Sequence, residues 1–199
     1  MILSASLILL AYLLGSISSA IVVSRIMGLP DPRTMGSGNP GATNVLRTGS
    51  KKAAAITLIG DALKGLIPVL LAKWLDVEPN IIALVAAAAF LGHLYPIFFN
   101  FKGGKGVATA LGVFLGISFP VGLMLAASWL LIAYTTKISS ISALIAACLS
   151  PVYIYFVVGE TVYTVMAVFL SVLLVYRHKS NIQDLLSGKE GKIDDKEKE

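Results

Sequence analysis

The chain has 199 residues, 56% hydrophobic and only 14% charged. Soluble domains carry ~25% charged residues, so this chain has too little polar surface for a water-soluble globule, and the same deficit excludes disorder. The net charge is +5, but Lys and Arg stand in short clusters between apolar runs, which argues against nucleic acid as a partner. One cysteine, Cys148, lies in an apolar run, leaving no disulfide framework and no Cys-based metal site. The composition predicts a small integral membrane protein, a single polytopic domain over 1–199.

The first basic residue is Arg25. A secretory signal opens with Lys or Arg before its apolar core, so the amino terminus reads as a retained first span over 2–26. The second span covers 53–75 and ends beside Trp74, an interface residue. An acidic break at Asp76 and Glu78 precedes a third span over 80–101. Val107–Tyr134 is 28 residues with Pro120 in its middle, against ~20 for one span. Two further spans cover 139–158 and 161–176, and a polar tail runs over 177–199.

Charge decides how 107–134 divides, because short cytoplasmic loops collect Lys and Arg. Arg25, Arg33, Arg47, Lys51 and Lys52 place the first loop inside and the amino terminus outside. Lys102 and Lys105 return the chain inside. Only two spans, 107–118 and 121–136, keep Lys137 and the Arg177-His178-Lys179 cluster inside as well. The expectation is an all-α bundle of seven transmembrane helices, amino terminus outside and carboxyl terminus cytoplasmic, with spans four and five short. Gly112-x-x-x-Gly116 reads as packing within the chain more than as a dimer motif.

Three unusual polar segments then share the cytoplasmic side. The first, SGNPGATN at 37–44 followed by Arg47, is dense in hydrogen-bonding groups: Ser37, Asn39, Thr43 and Asn44. Gly36, Gly38 and Gly41 match a dinucleotide spacing, but no strand or βαβ unit fits between membrane spans. Glycine-rich backbone can present N–H groups to an anion, and Arg47 can add a bidentate guanidinium. The second segment, KGGKG at 102–106, puts Gly103, Gly104 and Gly106 around Lys105 where a helix restarts, a ready phosphate site. Those glycines cost backbone entropy without an evident structural return, and the segment is not a nucleotide-hydrolysing Walker loop. The third, RHKSN at 177–181, sets His178 and Asn181 three apart, where His is a candidate acid or base. Asp61 and Lys64 read as a mutual pair inside span two, His93 as support for the second segment or a buried structural residue, and Ser142 as a cap or a ligand contact.

Phosphate-binding elements at the mouth of an apolar bundle suggest a substrate with an anionic head and an apolar tail. No His-x-x-x-x-Asp acyltransferase motif, no Asp-rich metal motif of CDP-alcohol transferases and no Ser-His-Asp or Cys-His set is present. SGNPGATNVLR at 37–47, GHLYPIFFNFKGGKGVAT at 92–109, and RHKSNI at 177–182 with Gly188-x-Glu190 resemble, in order and spacing, the three motifs of the bacterial membrane acyl-phosphate:glycerol-3-phosphate acyltransferases, the PlsY family.

The resemblance implies a seven-span enzyme of the bacterial cytoplasmic membrane with its active site at the cytoplasmic face. It implies transfer of a fatty acyl group from acyl phosphate, not acyl-CoA, to the 1-hydroxyl of glycerol 3-phosphate, giving lysophosphatidic acid and phosphate. The family's essential motif-one Ser and Arg carry onto Ser37 and Arg47, its glycerol-3-phosphate loop onto Gly103, Gly104 and Gly106 with Lys105, its motif-three His and Asn onto His178 and Asn181, and a structural Glu onto Glu190. The catalytic set is thus expected to be Ser37, Arg47, Lys105, His178 and Asn181. Asn39, Asn44, Gly103, Gly104, Gly106 and Ser142 are expected to bind substrate. No metal, no cofactor and a monomer are expected. A transporter of a phosphorylated solute is the rival from another class, but it would place polar groups near the midplane between repeats.

Overall fold

A computed structural model describes residues 1–48 and 50–193. Gly49 and residues 194–199, the end of the expected polar tail, lie outside the described residues. Among the described residues all regular structure is helical: α1 (Ile2–Gly15), α2 (Ser19–Ile26), α3 (Ala42–Arg47), α4 (Lys51–Trp74), α5 (Pro79–Leu94), a 3₁₀ turn (Ile97–Phe99), α6 (Val107–Ile117), α7 (Phe119–Thr136), α8 (Ser139–Val157), α9 (Thr161–Arg177) and α10 (Lys179–Leu186).

The expected first span is two helices. α1 and α2 meet at 46° across Ser16–Ser18. Backbone groups freed at such a break need partners where water is scarce. Ser16 Oγ donates to the Tyr12 carbonyl at 2.8 Å, and Lys64 Nζ reaches across from α4 to the Ile17 carbonyl at 2.8 Å. The third expected span stops as a helix at Leu94, because the residue before Pro96 is steered out of the helical region. Ser118, extended, separates α6 from α7, and Pro120 sits in the first turn of α7 where its missing N–H costs nothing. Lys73 Nζ caps the end of α6 by donating to the Gly116 and Ile117 carbonyls at 3.1 and 3.0 Å. At the other end of the chain, α9 and α10 meet at 57°.

Among the described residues four helices, α5 counted with its 3₁₀ turn, are long and apolar enough to cross a membrane alone, and up to six if each bent pair is one span. α6 has 11 residues, ~16 Å at 1.5 Å per residue, about half the hydrocarbon thickness. Large apolar side chains such as Leu9, Leu130, Leu131, Val165 and Val172 remain exposed around the bundle, the surface lipid tails cover.

Inside, α4 packs closely on α6, and α1 on α5, with α7, α8 and α9 in succession beside them. Both tight crossings place glycine against a carbonyl oxygen of the partner helix. A Cβ on Gly65 would fall 2.2 Å from the Thr109 oxygen, and one on Gly112 1.9 Å from the Ala62 oxygen. Gly15 and Gly92 meet the α5 and α1 backbones in the same way, at 2.2 and 2.3 Å. Gly112-x-x-x-Gly116 is therefore used within the chain, as its sequence suggests. The core around Phe90, Leu94, Val69, Val85 and Val113 forms where these crossings draw the helices together.

Gly112→Ala is expected to lower the thermal unfolding midpoint in detergent, at the upper end of overpacking costs, ~3 kcal/mol. Gly159→Ala is the comparison, since its Cβ meets nothing within 4 Å and it carries only a left-handed φ of +76°, costing ~1 kcal/mol. Equal losses in the two variants would show that glycine does not set the α4–α6 distance.

Candidate active site

The first polar segment is a loop latched by one side chain. Asn44, buried on α3, accepts from the Ser37 N–H at 2.9 Å and donates to the Pro32 and Met35 carbonyls at 2.7 and 3.0 Å. Its amide is thus turned onto the loop it belongs to. The geometry gives Asn44 a positioning part in this loop in addition to a place on the wall of the cavity described below. Asp31 pairs with Arg33 at 2.6 Å in the same loop, and this bond holds the Asp31 carboxyl below its usual range. Thr43 and Ser139 share a hydrogen bond of 3.2 Å, which ties α3 to the start of α8.

The second segment lies flat on the end of α5. A Cβ on Gly103 would fall 2.0 Å from the His93 carbonyl oxygen, and one on Gly104 2.2 Å from His93 Nε2. Gly106 carries φ +90° immediately before α6, a conformation that glycine adopts without strain. The glycines therefore have a structural return that sequence reasoning missed: only residues without a Cβ can pack here. Gly104 does not present its N–H to the cavity, because it donates to the His93 carbonyl at 3.1 Å.

The third segment closes over the second. Arg177 Nε and Nη2 donate to the Gly104 and Gly103 carbonyls at 3.2 and 2.8 Å, while its guanidinium stacks 5.6 Å from the Tyr95 ring centre. Arg177 was legible in sequence only as a cytoplasmic charge; its clamp on the glycine loop appears only in three dimensions. Asn181 accepts from Lys105 Nζ through Oδ1 and donates to Glu190 at 2.7 Å, which joins the second and third segments directly. Burial pushes the Lys105 ammonium below the ordinary lysine range, against the opposing pull of Glu190.

His178, just past the α9 span, shares a 2.8 Å hydrogen bond between Nδ1 and the Leu174 carbonyl. A carbonyl only accepts, so Nδ1 carries the proton and Nε2 keeps its lone pair. Burial, partly countered by the Leu174 bond, pushes the imidazole pKa down to about 4. His178 is therefore neutral near pH 7.

A cavity of about 940 Å³ joins these groups. Its mouth is lined by Ser37, Asn39, Arg47, Lys105, His178 and Asn181, with Gly106, Ser139, Ser140 and Glu190. Its interior turns largely apolar between α4, α6, α7, α8 and α9, along Leu58, Phe114, Leu125, Trp129, Ala147 and Leu170, with Asp61 and His93 as the ionisable residues in its inner wall. Arg47 Nε is buried there without a hydrogen-bond partner, and Ser140 Oγ likewise. A buried, unsatisfied guanidinium N–H is costly unless a ligand completes it. A second recess of about 340 Å³ shares Ser37, Asn39 and Lys105 and adds Gly103, Tyr95, Arg177, Lys179 and Ser180. Ser142 lines neither space: it is buried and donates to the Ile138 carbonyl at 3.0 Å, one turn back, so its expected substrate contact is replaced by a local helix bond. Among the described residues, no three His, Cys, Asp or Glu side chains gather as a metal site.

The family model described as Glycerol-3-phosphate acyltransferase matches residues 5–188. A relative from Thioalkalivibrio sulfidiphilus, named glycerol-3-phosphate acyltransferase, is 60% identical over 198 residues, 100% of this chain and 98% of its own. One of the same name from Methylococcus capsulatus is 59% identical over 187 residues, 94% of each chain. The crystal structure of PlsY (YgiH), an integral membrane glycerol 3-phosphate acyltransferase, superposes in its glycerol 3-phosphate form with TM-score 0.91 at 39% identity, covering 95% of this chain and 94% of that one. Its lysophosphatidic acid form gives TM-score 0.89 at 38% identity with the same coverage. By family match, sequence identity and fold, the chain belongs to the glycerol-3-phosphate acyltransferase family.

Proposed function

We propose that this chain transfers a fatty acyl group from acyl phosphate to the 1-hydroxyl of sn-glycerol 3-phosphate, giving lysophosphatidic acid and inorganic phosphate without an acyl-enzyme. One observation carries the reading: a single cavity combines a cationic, hydrogen-bonding mouth with an apolar interior, the shape of a substrate pair with two anionic heads and one acyl tail. The PlsY structures in glycerol 3-phosphate and lysophosphatidic acid forms support the acceptor and product.

The chemistry needs no protein nucleophile, because acyl phosphate is a mixed anhydride and already activated. The glycerol 1-oxygen forms a bond to the acyl carbonyl carbon. The carbon–oxygen bond to phosphate breaks, and the hydroxyl proton passes to the departing phosphate. The cost of holding two anions side by side is offset by Arg47 and Lys105, whose charges act strongly in a site screened from water. Ser37, Asn39 and Asn181 add hydrogen-bonding groups that fix the attack geometry. An efficient general base has a pKa near the working pH. The His178 imidazole, pushed down to about 4, is a weak one, so we assign it to positioning and the proton to the donor phosphate.

In this reading the bundle has seven spans, counting α6, with the amino terminus outside and the carboxyl terminus cytoplasmic. The clusters of Lys and Arg then fall inside the cell and the cavity mouth opens there. The setting is the bacterial cytoplasmic membrane, and the chain acts as a monomer, since its cavity is built from its own helices.

The first test supplies purified protein with labelled glycerol 3-phosphate and either palmitoyl phosphate or palmitoyl-CoA. Lysophosphatidic acid is expected from acyl phosphate alone. Product from the thioester would overturn the donor assignment, and no product from either would favour a transporter. His178→Gln should keep kcat within about five-fold while raising KM; a collapse of kcat at unchanged KM would make His178 the base. Arg177→Lys keeps the charge but loses the planar fork that spans two carbonyls. It should raise KM for glycerol 3-phosphate about ten-fold with little change in KM for acyl phosphate; unchanged kinetics would show that the Arg177 clamp is not needed.

A further inference from the structure

Beneath the glycine loop lies a buried set of ionisable groups, two of which, Asp61 and His93, also reach the wall of the cavity, and to which the reaction above assigns no role. Asp61 and Lys64 pair at 2.8 Å on α4, and Lys64 Nζ also donates to the Ile17 carbonyl at the α1–α2 break. His93 Nδ1 faces Asp61 Oδ1 at 3.7 Å and has no hydrogen-bond partner. All three side chains are at least nine-tenths buried. The far edge of the His93 ring supports the loop, since Nε2 is where a Gly104 Cβ would collide, at 2.2 Å. The backbone of the same residue receives the Gly104 N–H at 3.1 Å.

We infer that Asp61 is a positioning residue for substrate binding, acting through the His93 ring to fix the height of the Gly103–Gly104 loop and hence of Lys105. The inference rests on the reading of that loop as the glycerol 3-phosphate element. A carboxylate facing Nδ1 orders the imidazole by favouring a proton on that nitrogen, as second-layer carboxylates do for histidines elsewhere. The ring, held on one side by Asp61, is pressed on the other against a glycine that cannot retreat, because Arg177 grips the Gly103 and Gly104 carbonyls from above. Loop height is therefore set between two arms, Arg177 outside and Asp61–His93 inside. Lys64 acts separately, neutralising Asp61 and satisfying the broken first helix.

Asp61→Asn keeps the volume and removes the charge. In the full-length protein it should raise KM for glycerol 3-phosphate about ten-fold, with kcat and KM for acyl phosphate within about three-fold. Asp61→Asn leaves the Lys64 charge uncompensated, so Asp61→Asn/Lys64→Met is the companion: it should remain impaired, whereas wild-type KM in that variant would reduce Asp61 to a counter-ion. His93→Gln should raise the same KM, and adding Asp61→Asn to it should change KM by less than about two-fold, since the two act as one unit; independent, multiplying effects would overturn the inference. Calorimetric binding of glycerol 3-phosphate without donor repeats each comparison without turnover. A wild type that binds but transfers nothing would thus defeat the acyl-transfer reading and leave Asp61 to be judged by binding, where unchanged affinity in Asp61→Asn would overturn its role.

Discussion

The bond from the Gly104 N–H to the His93 carbonyl, 3.1 Å long, is the contact on which the site's arrangement depends. It pins an irregular stretch of chain to the end of α5, buried within the protein where unpaired backbone is costly. Everything near it follows. The loop must lack side chains to lie that close, so glycine occupies 103 and 104. Its carbonyls then face away from α5, and Arg177 of α9 takes both. Lys105 is thereby held where Asn181 accepts from its ammonium and Glu190 completes the chain of bonds.

The same constraint explains how charge is placed. Cations at the mouth, Arg47 and Lys105, are arranged around a cavity that turns apolar within a few residues. Such a boundary strengthens their attraction for anions, because less water screens them. In the proposed reaction the same boundary would keep the donor's acyl chain among apolar side chains and its phosphate at the mouth. His178 is kept neutral by its burial and oriented by the Leu174 carbonyl. It contributes a directed lone pair and no additional charge.

Helix breaks recur through the bundle, and two of them have a lysine attending. Lys64 serves the break between α1 and α2, and Lys73 the short end of α6. Lysine suits such places because a flexible apolar stem crosses the packing while the ammonium reaches a carbonyl with no donor of its own. These residues let spans deviate from straight helices without orphaned backbone, and the deviations shape the cavity.

Residue order alone determined the membrane class, the helical bundle and the three polar segments, because hydropathy, charge asymmetry and local glycine content are properties of the sequence itself. It also placed the Asp61–Lys64 pair and the division near Pro120, since i,i+3 spacing and proline chemistry are local. What it left open depends on distance between segments far apart in the chain. Asn44 read as a substrate contact and Arg177 as an inside charge, yet one also latches residues 32–37 and the other clamps the glycine loop 73 residues away. Ser142 read as a cap or a ligand contact; the turn of α8 aims it at its own backbone, and Ser139 and Ser140 line the cavity. The kink after Gly15 was hidden inside an apolar run, because the donor that makes it tolerable is Lys64, on another helix. Local chemistry is written in order along the chain; which groups meet, and which face the substrate, is decided only when the helices pack.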